Sequence, residues 1–131
     1  MDPSVESIIR ETVNASNEGR IHFGQVVGKL LAVGVESYQV DYRACRMTYY
    51  VSNDKTLTLE MPAPEVEIAR NFSVQAIKAA ILGAQRGEVM YPEFKRLSQR
   101  GGCVGYTVWL TGRYVSYHGR HGETHVEKFP D

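Results

Sequence analysis

Apolar residues recur three and four positions apart, then at every second position, and the whole succession is then written a second time. Val5, Ile8, Ile9, Thr12 and Val13 mark one face of a first helix. Asp2, Pro3 and Ser4 begin it: a side-chain acceptor, then a proline in the first turn, where its missing N–H costs nothing. Gly19 is placed to stop it in a left-handed conformation. Phe23, Val26, Val27, Leu30 and Leu31 form the stripe of a second helix that ends at Gly34. Gly24 and Gly28 each cost that helix about 1 kcal/mol relative to alanine, which points to close packing against another backbone. The period then changes to two. Tyr38, Val40 and Tyr42 alternate with Ser37, Gln39 and Asp41, residues 45–51 form a second strand, and Leu57, Leu59 and Met61 alternate with polar neighbours in a third. Ser52 to Lys55 is a turn cluster. Pro62 and Pro64 close the unit and open a linker that runs to about Asn71.

The second half repeats this order. Val74, Ile77, Ala80, Ile81 and Ala84 predict a helix capped by Asn71 or Ser73 and stopped at Gly87; Tyr91, Phe94 and Leu97 predict a shorter one that ends at Gly101 and has Pro92 in its first turn. Tyr106, Val108 and Leu110 alternate with Thr107 and Trp109, and residues 113–118 and 123–129 make a hairpin across Gly119 to Gly122. The offset is constant: 87−19, 102−34 and 106−38 all give 68. Residues 4–62 set against 72–130 give eight identities in 59 pairs: Ile9, Gly19, Gly34, Tyr38, Val40, Tyr49, Thr56, Pro62 and their partners. Composition alone would give roughly 3–5, so the force lies in their placement at helix stops, core-facing strand positions and a closing proline. The expectation is an α+β fold: an internal duplication of a helix–helix–strand–strand–strand unit, with antiparallel strands packed against four helices around one shared core. Residues 1–131 then form a single domain of two repeats, about 4–62 and 72–130, joined by the proline-containing linker.

Composition narrows the partners more than the chemistry. The chain of 131 residues has 15 basic and 15 acidic side chains, a balance that argues against a nucleic-acid partner. The charge is uneven: residues 1–62 carry six basic and eight acidic groups, and residues 72–130 carry eight and four. The second repeat therefore offers a surface for an anionic partner, unless these charges are simply solvated. Cys45 and Cys103 do not occupy equivalent positions and have no metal-site spacing, so free thiols in a reducing compartment are expected. No apolar run resembles a leader or approaches the ~20 residues of a membrane span, and a soluble cytoplasmic protein without a membrane partner is expected.

Repeats inform most where they differ. Leu57 and Leu59 become His125 and Glu127 in the second copy, on the strand face that should look toward the core. A buried polar pair needs partners, and these two can lean on each other or on Tyr117 or His118 across the hairpin. Opening to a cleft, they would be weak catalytic candidates, with Tyr117 beside them; the competing reading is a hairpin edge exposed to water. His118, His121 and His125 invite a metal, but neither their spacing nor any nearby Cys or Asp completes a ligand set, so no metal and no cofactor is expected. His22 precedes a helix and reads as a capping or surface residue. Trp109 lies opposite Tyr106, Val108 and Leu110, either as a partner surface or as core. Arg113 and Arg120 flank the last hairpin and, with Trp109 and His118, are the binding candidates. No Gly-x-Ser-x-Gly, phosphate-loop or His-Glu-x-x-His motif occurs.

The run Gly112-Arg113, Tyr117, Gly119-Arg120, Gly122 and His125 to Pro130, with Tyr91 to Phe94 and Gly102 to Tyr106, resembles the YbcV-like family of small bacterial and phage-associated proteins. The resemblance runs from about Ile8 to Pro130. It implies a domain of unknown function, in some members labelled a phage envelope protein, and a bacterial or prophage origin; it supplies no catalytic residues. Two functions remain. One is a non-catalytic binding or interaction module for a protein or a small-molecule ligand, with self-association into a homo-oligomer left open. The other is a small-molecule-binding or metal-assisted hydrolytic enzyme that uses His125 and Glu127.

Overall fold

The computed structural model describes residues 1–130. Along the chain lie α1 (Pro3–Asn17), α2 (Phe23–Ala32), β1 (Val35–Asp41), β2 (Arg46–Val51), β3 (Thr56–Glu60), α3 (Val74–Gln85), α4 (Tyr91–Arg100), β4 (Gly105–Trp109), β5 (Tyr114–His118) and β6 (Thr124–Lys128). The order is helix–helix–strand–strand–strand, twice. The strands form one six-stranded sheet in the order β3-β2-β1-β4-β5-β6, antiparallel at every junction. The alternation read from the sequence places Tyr38, Val40, Tyr49, Tyr106, Val108 and Tyr117 inward, in one core with Ile9, Leu30, Ile77 and Phe94 from the four helices. This is the α+β architecture that the repeat implies.

The offset of 68 holds at the level of hydrogen-bond register. Tyr38 pairs with Tyr49, and Tyr106 with Tyr117; Met47 pairs with Leu59, and Val115 with Glu127. Each second pair is the first moved by 68. The central junction joins β1 to β4, where Tyr38 faces Val108 and Val40 faces Tyr106, on either side of the pair Gln39 and Thr107. Those two are themselves equivalent, since 107−39 is 68, so a pseudo-two-fold axis passes between them. Backbone conformation repeats as well. The left-handed residues form four equivalent pairs: Gly19 and Gly87, Gly34 and Gly102, Cys45 and Arg113, Asp54 and Gly122. Three of these eight are not glycines, and a side chain tolerates φ near +60° only at a cost. The turn geometry is therefore kept even where the residue best suited to it is not.

Local signals explain most element ends. The Asp2 carboxylate accepts from the Ser4 N–H at 2.7 Å, and the Ser73 hydroxyl, rather than Asn71, accepts from the Ala76 N–H at 3.1 Å. In the Gly101-Gly102 pair only Gly102 turns left-handed, at φ +88°; a Cβ there would lie 2.2 Å from the Asn71 carbonyl oxygen. The two glycines of α2 do not mark close packing. A Cβ on Gly28 meets nothing within 4 Å, and one on Gly24 meets only the His22 ring at 3.6 Å. Both sit on the exposed side of the helix. The segment between the repeats is held down rather than loose. Ile68 is buried, the Arg120 Nη2 donates to the Ile68 carbonyl at 2.8 Å, the Ala69 N–H donates to the Gln99 carbonyl at 3.0 Å, and Arg96 pairs with Glu65 at 3.2 Å. No helix among the described residues is long and apolar enough to cross a membrane.

Gly28→Ala is expected to raise stability by up to about 1 kcal/mol, since it adds helix propensity without a clash. Gly102→Ala is expected to lower it by more than that, through strain at positive φ and the clash with Asn71. Urea unfolding of the two variants against the parent protein checks both signs.

Candidate functional site

Strand alternation brings Tyr38 and Tyr49 together in the first repeat and Tyr106 and Tyr117 in the second, all four under the helices. Tyr38 and Tyr49 stack with centroids 4.9 Å apart, and Tyr106 and Tyr117 lie at 5.6 Å. A buried phenol gains from its ring and loses unless its hydroxyl finds a partner. Some do. Tyr106 donates to the Tyr91 hydroxyl at 2.7 Å, and Tyr42 shares a hydrogen bond with Ser98 at 2.9 Å. For Tyr38 and Tyr117 nothing comparable offsets burial; desolvation comes first among the influences that raise their phenols above the ordinary 10.0.

Those rings line a cavity that straddles the pseudo-two-fold axis between the sheet and the helix layer. Its walls come in equivalent pairs from the two repeats: Val13 and Ile81, Asn17 and Gln85, Phe23 and Tyr91, Val26 and Phe94, Tyr38 and Tyr106, Tyr49 and Tyr117. Its volume is about 80 Å³, room for several waters or one very small molecule. The lining is mostly apolar, with a few polar atoms. The Asn17 Oδ1 is buried there with no hydrogen-bond partner among the described residues.

The second repeat breaks the symmetry of this cavity at β6. The register sets His125 across from Tyr117 and Glu127 across from Val115, so both polar residues face the helix side, as their leucine counterparts do. They lean on each other: the His125 Nε2 and the Glu127 Oε1 are 3.0 Å apart, and Tyr117 stacks over the His125 ring at 6.4 Å. Their side chains are 15% and 32% exposed, so neither projects freely into water. Glu127 and Tyr117 line the cavity, whereas His125 stands behind Glu127 and positions its carboxylate. Phe129, which replaces Met61, meets Phe23 edge to face at 5.6 Å and joins the α2 start to the end of the last strand.

The other sequence candidates lie elsewhere. His118 is across from Thr124 and shares a 3.3 Å contact with its hydroxyl, on the sheet face opposite His125, so those two imidazoles cannot hold one ion. Trp109 is 38% exposed on the outer sheet face, beside Tyr114 at 6.2 Å. Arg113 lies over the Phe129 ring at 5.6 Å, and Arg120 is engaged with the linker carbonyls. His22 is the exposed residue that begins α2, with its N–H donating to the Gln25 side chain at 3.0 Å, and it also borders the cavity. Sequence reasoning missed the cavity itself, together with Asn17 and Phe23. The available signal was the pair of tyrosines kept at offset 68, because phenols held in two matched core positions require either partners or room.

Residues 16–127 match the profile of a family described as "Protein of unknown function (DUF1398)". The chain belongs to that family. Nothing among curated proteins matches it. The match covers most of the cavity walls from both repeats, Tyr38, Tyr49, Tyr106, Tyr117 and Glu127 included, while Val13 and Phe129 lie just outside it.

Alkaline pH provides a test of the interior. Burial pushes the Cys103 thiol from its ordinary 9.0 to about 11, and it also raises the phenols of Tyr38, Tyr42, Tyr49, Tyr91, Tyr106 and Tyr117. Groups raised in the folded state are neutral there while the unfolded chain ionises, so their contribution is complete below about pH 9 and is lost as pH climbs. The raised Cys103 thiol alone contributes on the order of 3 kcal/mol, lost in full only above about pH 11. Urea midpoints are expected to be flat from pH 7 to 8.5 and to fall steeply above 9, with a shallower fall between 9 and 10 in Cys103→Ala.

Proposed function

We propose that this DUF1398 protein is a non-catalytic binding module that encloses one small, largely apolar molecule in the cavity on its pseudo-two-fold axis. The observation that carries this reading is a cavity walled by matched aromatic residues of both repeats, Tyr38 with Tyr106 and Tyr49 with Tyr117. The cavity has better support than the outer surface around Trp109, because Arg113 and Arg120, the intended companions of that indole, already have intramolecular partners. The YbcV-like resemblance of the last hairpin supports a bacterial or prophage origin, and the free thiols Cys45 and Cys103 support a cytoplasmic setting.

One observation favours an enzymatic alternative. Glu127 lines the cavity with its carboxylate held by His125 at 3.0 Å, the arrangement a general base would need. Turnover of a bound molecule that is abolished by Glu127→Gln, with binding retained, would favour that alternative.

Toluene serves as a neutral test ligand. Saturating toluene is expected to raise the unfolding temperature and to shift NMR signals of Tyr38 and Tyr106 together. Ala84→Phe, which fills the cavity from α3, is expected to abolish both effects while keeping the circular dichroism of the parent. Shifts scattered over exposed residues, or an unchanged response in Ala84→Phe, would contradict the proposal.

A further inference from the structure

We infer that the ligand of the cavity is an organic cation, with the Glu127 carboxylate as its counter-charge and the tyrosine and phenylalanine faces as its cage. This rests on the cavity being a binding site and adds the charge of what it binds. Positions 57, 59 and 61 of the first copy are Leu, Leu and Met, and they show what this strand carries when it only packs against the core. The second copy keeps the register of that strand and replaces the middle residue with a carboxylate that lines the cavity. One carboxylate oxygen, Oε1, is occupied by the His125 Nε2 at 3.0 Å; the other, Oε2, has no hydrogen-bond partner among the described residues. A negative group half-withdrawn from water beside aromatic rings favours a soft, weakly hydrated cation. Ring faces carry negative quadrupole density, and such contacts strengthen as water is excluded.

The other charged or ionisable side chains near the cavity are His125, which pairs with Glu127, Lys128, His22, and Arg113 over Phe129. Lys128 borders the cavity, but by strand alternation its side chain belongs to the outer sheet face, and it is exposed. His22 borders the mouth from an exposed position at the start of α2. The Glu127 carboxylate and the aromatic faces together describe a monovalent ammonium or similar ion with an apolar body. Arg113 rests its guanidinium on Phe129, so that ring already accepts a cation and the ligand must lie clear of it, on the tyrosine faces.

The test compares benzyltrimethylammonium with neopentylbenzene, which has the same shape and no charge, by NMR titration of the full chain. Wild-type protein is expected to bind the cation at least about tenfold more tightly than the neutral isostere. In Glu127→Gln, and in Glu127→Leu, which restores the residue of the first repeat, the ratio of the two affinities is expected to fall to about one. Equal affinity for both probes in the wild type would overturn this inference and leave the binding module standing. So would a cation preference that survives Glu127→Gln. Failure of both probes to bind would overturn the inference and the binding module together.

Discussion

The antiparallel junction between β1 and β4 is the constraint on which everything else depends. Each repeat alone is a three-stranded meander with two helices, too small to bury both its helix stripes and its sheet face well. Pairing β1 with β4 converts two such units into one sheet with one helix-covered face. The junction is tight: a Cβ on Gly105 would lie 2.4 Å from the Val40 carbonyl oxygen, so the strands approach as closely as they do because this residue is glycine. The axis at Gln39 and Thr107 then fixes which residues meet beneath the helices. Tyr38 and Tyr106, which with Val40 and Val108 flank that axis on the core side, become opposite walls of a common interior.

Symmetry of this kind creates space at its axis, because matched bulky residues approach one another without a third element to fill the gap. Departures from symmetry then decide how the space is used. The first repeat closes its last strand with Leu59 and Met61, both buried. The second has Glu127 and Phe129 there, both only partly buried, and Phe129 reaches Phe23 of the other repeat. One end of the cavity thereby acquires a charge and an aromatic rim that the other lacks. A ligand in such a space has a direction, although its container was built from two similar halves.

Much of this was legible in the amino-acid sequence, for physical reasons. Helix periodicity, left-handed glycines and strand alternation are local, and the constant offset of 68 turned eight modest identities into an architecture. The Leu59-to-Glu127 and Leu57-to-His125 exchanges were visible as soon as the repeats were aligned, and so was their facing toward the core. What could not be read was distance. Nothing in the sequence reveals that Gly28 faces open solvent while a Cβ on Gly102 would meet Asn71, since both depend on tertiary surroundings. Arg120 likewise reads as an exposed binding residue until the linker is seen to pass beneath it. The cavity arises from the spacing between the helix layer and the sheet, and no periodicity encodes that spacing.

The most direct measurement is a set of intermolecular nuclear Overhauser contacts between a saturating small aromatic ligand and the assigned tyrosine rings. The account predicts contacts to Tyr38 and Tyr106 at once, one from each repeat, because a single molecule on the axis touches both walls. Contacts confined to Trp109 and Tyr114 on the outer face of the sheet would contradict it.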